Sequence, residues 1–216
     1  VPNIRLTIEY DGQHFHGWQK QIGVRTIQEE LHKTLELVLR QKIAHVQSSG
    51  RTDEGVHARQ QVVNFFTEGP VDLNRLRLSV SSIHKGELSV LKADIAPDDF
   101  HSLRSAKGKL YRYIIYHSDV PPVLDKGRVW LVHRDLDIER MKLEAKDLIG
   151  RHDFKSFQGS RSKVNSTYKT IFSSEIISNP PYIYYQVRGS GFLKHMVRNI
   201  VGTLVELGSK DGRCIP

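Results

Sequence analysis

The chain has 216 residues, 38% hydrophobic and 26% charged, a balance that excludes a disordered chain and leaves room for one large domain or two small ones. Lys and Arg number 32 against 24 Asp and Glu, a net charge of +8 that favours a polyanionic partner over a neutral small molecule. No apolar run approaches the roughly 18 residues of a membrane span, and the single cysteine, Cys214, cannot close an internal disulfide; together these give the expectation of a cytoplasmic, reducing setting with no membrane partner.

Ile4, Leu6, Ile8 and Tyr10 alternate with Arg5, Thr7 and Glu9, the period of a half-buried strand, which Asp11-Gly12 ends. Gln13 to Gly23 then interleaves His14, Phe15, His16 and Trp18 with Gln19 and Lys20. Such a stretch reads either as a loop that stacks on RNA or as an aromatic cluster folded over its own strand. His14 and His16 form an H-x-H pair, but no third ligand stands at a recognisable spacing and no metal site is expected. Thr26-Ile27-Gln28-Glu29 has the form of a capping box, and Ile27, Leu31, Leu35, Val38 and Leu39 follow at helical spacing, predicting a helix over 26–41. Ile43 to Val46 and Gln61 to Phe66 read as strands. After Gly69-Pro70, Asp72 can cap a helix to about Ser81 with Leu73, Leu76 and Val80 inside, and Leu88 to Leu91 reads as another strand. Residues 3–95 therefore give β-α-β-β-α-β, a ferredoxin-like order.

A polar connection, Pro97 to Gly108, precedes a second run of the same kind. Tyr111 to Tyr116 reads as a strand, Asp137 can cap a helix carrying Met141, Ala145, Leu148 and Ile149, and Phe172 to Ile177 and Ile183 to Val187 read as strands joined through Asn179-Pro180-Pro181. A helix near 191–207 places Leu193, Met196, Val197, Ile200, Leu204 and Leu207 on one stripe. The expected fold class is α+β: two ferredoxin-like halves, 1–107 and 108–216, joined into one mostly antiparallel central sheet with helices packed on it. The second half lacks its last strand, and the cleft between halves is the natural binding site.

The stretch Ser49 to Arg59 sets one carboxylate, Asp53, beside Arg51 and Arg59 on a loop bracketed by Gly50 and Gly55. An aspartate with an ordinary pKa of about 3.9 is an anion near neutral pH, able to act as nucleophile, base or ion-pair partner. No second carboxylate stands at a glycosidase-like spacing and no Ser-His-Asp or Cys-His arrangement singles itself out, so chemistry requiring one carboxylate remains. Arg198, with Lys194 and His195, falls away from the apolar stripe of the last helix, as a solvated basic face or as a cation for a site. Tyr111 and Tyr113 share a strand face, and the residues alone do not choose between them. Lys155, Arg161, Lys163 and Lys169 mark a basic loop that either grips RNA or is simply solvated.

The run Gly50-Arg51-Thr52-Asp53-Glu54-Gly55-Val56-His57-Ala58 resembles the signature loop of the tRNA pseudouridine synthase A family. So, in the family's order, do Tyr10-Asp11-Gly12 with Phe15-His16-Gly17-Trp18-Gln19, Lys109-Leu110-Tyr111-Arg112-Tyr113, His152-Asp153-Phe154 with Ser156-Phe157, and Phe192 with His195-Met196-Val197-Arg198-Asn199-Ile200-Val201-Gly202. The resemblance implies a cofactor-free, metal-free isomerase that converts uridine to pseudouridine at positions 38, 39 and 40 of the tRNA anticodon stem-loop, working as a homodimer. It implies Asp53 as the essential carboxylate (nucleophile), Arg198 as its ion-pair partner, Tyr111 as the ring that stacks on the base or relays a proton, and Arg51 in base flipping. His57 and Arg59 are expected to contact the backbone nearby, and Tyr113 is left to the core. Whether Asp53 attacks C1′, adds to C6 or assists proton removal from C2′ stays open. Two rival readings are a non-catalytic RNA-binding module and a metal-dependent phosphodiesterase using Asp11, His14 and His16.

Overall fold

The computed structural model describes residues 1–160 and 164–209. Arg161, Lys163 and Cys214, singled out in the sequence, lie outside them. The chain divides into two units, Val1–Ala106 and Lys107–Pro216. Its α+β architecture consists of two mainly antiparallel sheets with four helices among the described residues, so the expected central sheet resolves, in hydrogen-bond terms, into one sheet of four strands and one of five.

The first unit runs β1 (Asn3–Tyr10), α1 (Ile27–Leu39), β2 (Gln47–Ser48), β3 (Ala58–Phe66), α2 (Leu73–Ile83) and β4 (Leu88–Ala96), in sheet order β2-β3-β1-β4 with every pairing antiparallel. That is the ferredoxin-like order expected. Ile4, Leu6, Ile8 and Tyr10 of β1 are buried against Ile27, Leu31 and Leu35 of α1 and Leu76 and Val80 of α2. Each such aliphatic side chain contributes about 1.5–3 kcal/mol by leaving water. Asp72 caps α2 by accepting the Arg75 N–H at 2.9 Å. The capping box does not form: Thr26 is the N-cap of α1, but its Oγ1 is buried without a hydrogen bond, and Glu29 pairs with Lys33 and Lys20 instead. The expected strand at 43–46 is also displaced. Ile43 and Val46 are buried in a connection, and pairing with β3 begins only at Gln47 and Ser48, opposite Asn64 and Val63.

Because β1 and β3 are antiparallel, the end of β1 at Tyr10 lies opposite the start of β3 at Ala58, with a register irregularity between Ile8 and Tyr10. The segment leaving β1 and the segment entering β3 therefore share one end of the sheet. The Pro97–Gly108 connection is tied down at its start by Asn3, whose Nδ2 donates to the carbonyls of Pro97 (2.9 Å) and Phe100 (3.0 Å), and by Asn64, whose Oδ1 accepts the Ser102 N–H at 2.9 Å.

The second unit runs β5 (Lys109–His117), β6 (Trp130–Val132), α3 (Ile138–Lys146), β7 (Gly150–Asp153), β8 (Tyr168–Asn179), β9 (Tyr182–Gly189) and α4 (Met196–Gly208), in order β6-β5-β9-β8-β7. β5, β8 and β9 reproduce the expected strands, while β6 and β7 are additions. β6 is parallel to β5 over Ile115–His117, and among the described residues no antiparallel closing strand accompanies it on that edge. α3 is capped by Asp137, which accepts the Arg140 N–H at 3.0 Å, and buries Met141 and Ala145; Ile149 falls beyond the helix and is exposed. α4 starts five residues later than expected, with Met196, Ile200 and Leu204 of the expected stripe buried and Val201, Val205 and Gly208 buried beside them; Leu193, also buried, precedes the helix, and Val197 and Leu207 are half-buried. Gly208 faces Met141 so closely that an added Cβ would collide with that side chain.

Candidate active site

The Asp53 loop leaves β2 through a set of hydrogen bonds to β3. The Ser49 N–H donates to Val62 O at 2.8 Å, and Ser49 Oγ donates to Gln61 Oε1 at 3.0 Å. The buried Gly50 carbonyl accepts from Ser48 Oγ at 2.9 Å and from Gln61 Nε2. Beyond Gly50 the chain turns outward. Arg51, Asp53 and Glu54 are exposed, and a tight turn follows in which the Val56 N–H donates to Asp53 O at 3.2 Å. Gly55 supplies that turn's positive φ of 75°, with open space around it.

The loop is held by a second loop, the one leaving β1. The Trp18 N–H donates to Thr52 O at 3.0 Å and the Gly55 N–H to Phe15 O at 3.4 Å, so two backbone bonds flank Asp53. Tyr10 Oη and Thr52 Oγ1 lie 2.9 Å apart. Two glycines permit this approach. A Cβ on Gly12 would collide with the Val56 carbonyl, and one on Gly17, whose φ is 81°, would sit 2.8 Å from Thr52 O. Phe15 and Trp18 are each 2% exposed, so these two rings fold over their own sheet and present no free stacking face, while His14 and His16 are exposed.

His57 Nδ1 lies 2.9 Å from Asp11 Oδ1 and 3.2 Å from the Gly12 N–H. A neutral Nδ1 accepts from Gly12 and a protonated one donates to Asp11; either way this edge of the ring is engaged and Nε2 is the nitrogen outside these contacts. Asp11 is thereby committed to His57, and His16 stands 3.2 Å from Glu54, so the trio of Asp11, His14 and His16 is not assembled as a cluster. Among the described residues no group of three His, Cys, Asp or Glu could hold a metal. Arg59, the second residue of β3, is exposed.

Tyr111, Tyr113 and Arg198 belong to the second unit. Tyr111 is half-buried on β5 opposite Val187, its ring meeting Phe192 edge-on at 4.9 Å. Tyr113, two residues on, packs edge-on against Trp130 at 6.3 Å; burial raises its phenol pKa, and the charge of Arg198 opposes that rise. Both rings pack on the same core, so burial does not separate them. Arg198 sits in the first turn of α4 and is exposed, as the helical spacing predicts. That turn follows His195 in a left-handed conformation (φ 58°). It is pinned by Asn199 Nδ2, which donates to Phe157 O at 2.9 Å, and by the Gly159 N–H, which donates to Lys194 O at 2.8 Å. The structure thus gathers Asp53, Arg51, His57 and Arg59 around one loop, and Tyr111, Tyr113 and Arg198 around one helix end.

A family model described as tRNA pseudouridine synthase matches residues 6–103 and 145–213. Curated relatives agree along nearly the whole chain. The tRNA pseudouridine synthase A of Syntrophotalea carbinolica is 42% identical over 205 residues, covering 95% of this chain and 81% of that protein. Its counterpart in Acetivibrio thermocellus is 36% identical with 95% and 84% covered, and that of Moorella thermoacetica 38% identical with 100% and 87% covered. The chain belongs to the tRNA pseudouridine synthase family. It is an isomerase of that family, and none of its described helices is long and apolar enough to cross a membrane.

Against this pseudouridine synthase frame, sequence reasoning missed three things. Gly12 and Gly17 act as backbone contacts to the Asp53 loop; their place in the Tyr10 to Gln19 motif was visible, their purpose was not. Lys109 at the start of β5 is half-buried, and burial, with Lys169 nearby, lowers its pKa. The two ends of the stretch read as a basic loop are regular: Lys155 lies in a single 3-10 turn, Lys155–Phe157, and Lys169 lies in β8.

Proposed function

We propose that this chain converts uridine to pseudouridine in the tRNA anticodon stem-loop at positions 38, 39 and 40, with Asp53 as the essential carboxylate. The observation that carries the reading is the backbone clamp on both sides of Asp53, Thr52 O to the Trp18 N–H and the Gly55 N–H to Phe15 O, on a loop whose tip is exposed. A carboxylate aimed from a fixed backbone is what a reaction at one sugar-base junction requires, since orientation fixed in advance lowers the barrier. In that reaction the C1′–N1 bond breaks, the base turns, C5 bonds to C1′, the proton leaves C5 and N1 gains one. The rearrangement is redox-neutral and internal to the nucleotide, so the proposal includes no cofactor.

The other roles in this reading are those the resemblance implies. Arg51, two residues before Asp53 and exposed, enters the stack vacated by the extruded uridine, a step with an unstacking cost of a few kcal/mol. Tyr111 meets the base or relays the C5 proton, and Arg198 is assigned to the Asp53 carboxylate, favouring its ionised form. His57, through the edge bearing Nε2, and Arg59 contact the nearby RNA backbone. The reading further includes a homodimer in the cytoplasm. The test uses tRNA transcripts with a single uridine left at position 38, 39 or 40 and tritium at its C5. Release from each supports the assignment, and no release from any of the three, beside release from a C5-tritiated transcript in which only those three uridines are replaced, would overturn it.

A further inference from the structure

We propose that Arg25, gripped by Glu87 and Glu30, is a positioning residue for the Asp53 loop, an inference that rests on Asp53 being the essential carboxylate. The Arg25 guanidinium forks onto Glu87, Nη1 to Oε1 at 3.0 Å and Nη2 to Oε2 at 2.7 Å, and its Nε stands 3.3 Å from Glu30 Oε2. The same group lies over the Phe15 ring, 4.4 Å from its centroid, and the Arg25 carbonyl accepts the His16 N–H at 2.9 Å. Phe15 is the residue whose carbonyl receives the Gly55 N–H, two positions beyond Asp53.

Glu87 acts a second time through its backbone. Its carbonyl accepts the Asp11 N–H at 2.9 Å, and Asp11 is the carboxylate that meets His57 on the far side of the Asp53 loop. The turn before β4 therefore holds the bracing loop at both ends, by side chain through Arg25 and by main chain at Asp11. A planar, bidentate, stacked guanidinium has a geometry that a lysine ammonium cannot reproduce. Three of its five guanidinium N–H groups go to two carboxylates and one face covers Phe15, while the side chain is 39% exposed, so it is KM that separates a positioning role from a phosphate contact. Its loss acts on the aim of Asp53 and leaves the grip on tRNA intact.

The test compares the parent with Arg25→Ala, Arg25→Lys, Glu87→Gln and the Arg25→Ala/Glu87→Gln double variant. It reads kcat and KM by tritium release from C5-tritiated tRNA, together with amide hydrogen exchange at Gly55, Trp18 and the β1 strand. The expected result for Arg25→Ala is a fall in kcat of roughly tenfold to a hundredfold, the size a displaced catalytic group produces. KM should stay within about twofold. Gly55 and Trp18 should exchange faster while the β1 amides do not. Lysine should restore only part of kcat, and the double variant should be no worse than Arg25→Ala alone. An unchanged kcat, a rise in KM with kcat kept, or faster exchange throughout β1 would overturn the inference. Asp53→Ala, measured in parallel, separates the two layers: an active Asp53→Ala removes the reading of Asp53 itself, whereas an inactive one beside a fully active Arg25→Ala removes only the role of Arg25.

Discussion

In the first unit, β4 covers the edge of β1 along its whole length, Leu88 to Ala96 against Asn3 to Tyr10. In the second unit, among the described residues, the corresponding edge of β5 is paired at Ile115–His117 by the short, parallel β6. Among the described residues, the edge strand beside β1 is long and antiparallel, and the one beside β5 is short and parallel. The difference extends to how each unit holds its chemical groups. Around Asp53, loop is fastened to loop by main-chain bonds across Gly12 and Gly17. At the start of α4, the turn bearing Arg198 is fastened by a side chain, Asn199 on the Phe157 carbonyl, as well as by a main-chain bond, the Gly159 N–H on Lys194. A main-chain clamp tolerates no added atom, whereas a side-chain clamp can be removed one group at a time.

Breaking the main-chain clamp should have the larger effect. Gly12→Ala drives a methyl into the Val56 carbonyl, and neither backbone can yield without moving the Asp53 loop. Its expected cost is about 3 kcal/mol of stability in a denaturant titration, with turnover falling on the order of a hundredfold. Gly69→Ala is the control: like Gly12 it has no positive φ, but a Cβ there meets nothing within 4 Å, and the change should stay within about 0.5 kcal/mol with turnover unchanged.

Breaking the side-chain clamp should cost less. Asn199→Ala leaves the Phe157 carbonyl without that donor, an expected loss of about 1–2 kcal/mol. If Arg198 acts on Asp53, turnover should also drop, about tenfold, as the first turn of α4 loosens. Thermal melts and kcat measured together separate the two contributions.

Two features sharpen the comparison by predicting equality. Asp72 and Asp137 cap α2 and α3 by the same bond to the third helical N–H, at 2.9 and 3.0 Å. Each change to Ala should lower stability by about 1 kcal/mol, with turnover kept.

The smallest effect is a dependence on pH near neutrality, carried by His84 in the first unit. His84 is buried, its Nε2 lying 3.0 Å from Thr34 Oγ1, and burial holds its pKa below the ordinary histidine value. Between the folded and unfolded values the unfolded chain binds a proton that the folded chain does not. Stability from this group is therefore present above the unfolded pKa of about 6.5 and lost as pH falls below it. Melting at about pH 7.5 and pH 5.5 should show a drop that His84→Gln reduces.

Most of the first unit was legible because its signals are local. The alternation of Ile4, Leu6, Ile8 and Tyr10 and the spacing of Ile27, Leu31 and Leu35 name their own elements and faces. β6 and β7 were not legible, since three or four residues carry no period and their pairing partners are distant in sequence. The Thr26 box failed for a related reason: Glu29 found lysines, and tertiary packing buried the threonine hydroxyl. At the candidate site, Asp53 and its glycines stood out by resemblance. Nothing local marks Arg25 as different from any residue ahead of a helix, because its partner Glu87 is 62 positions away.

The central claim is tested most directly by tritium release from a C5-tritiated, unmodified tRNA transcript, comparing the parent chain with Asp53→Ala at equal, demonstrated RNA binding. Release by the parent and none by Asp53→Ala is the result predicted. Equal release from both would contradict the role of Asp53, and no release from either with binding intact would favour a non-catalytic RNA-binding module.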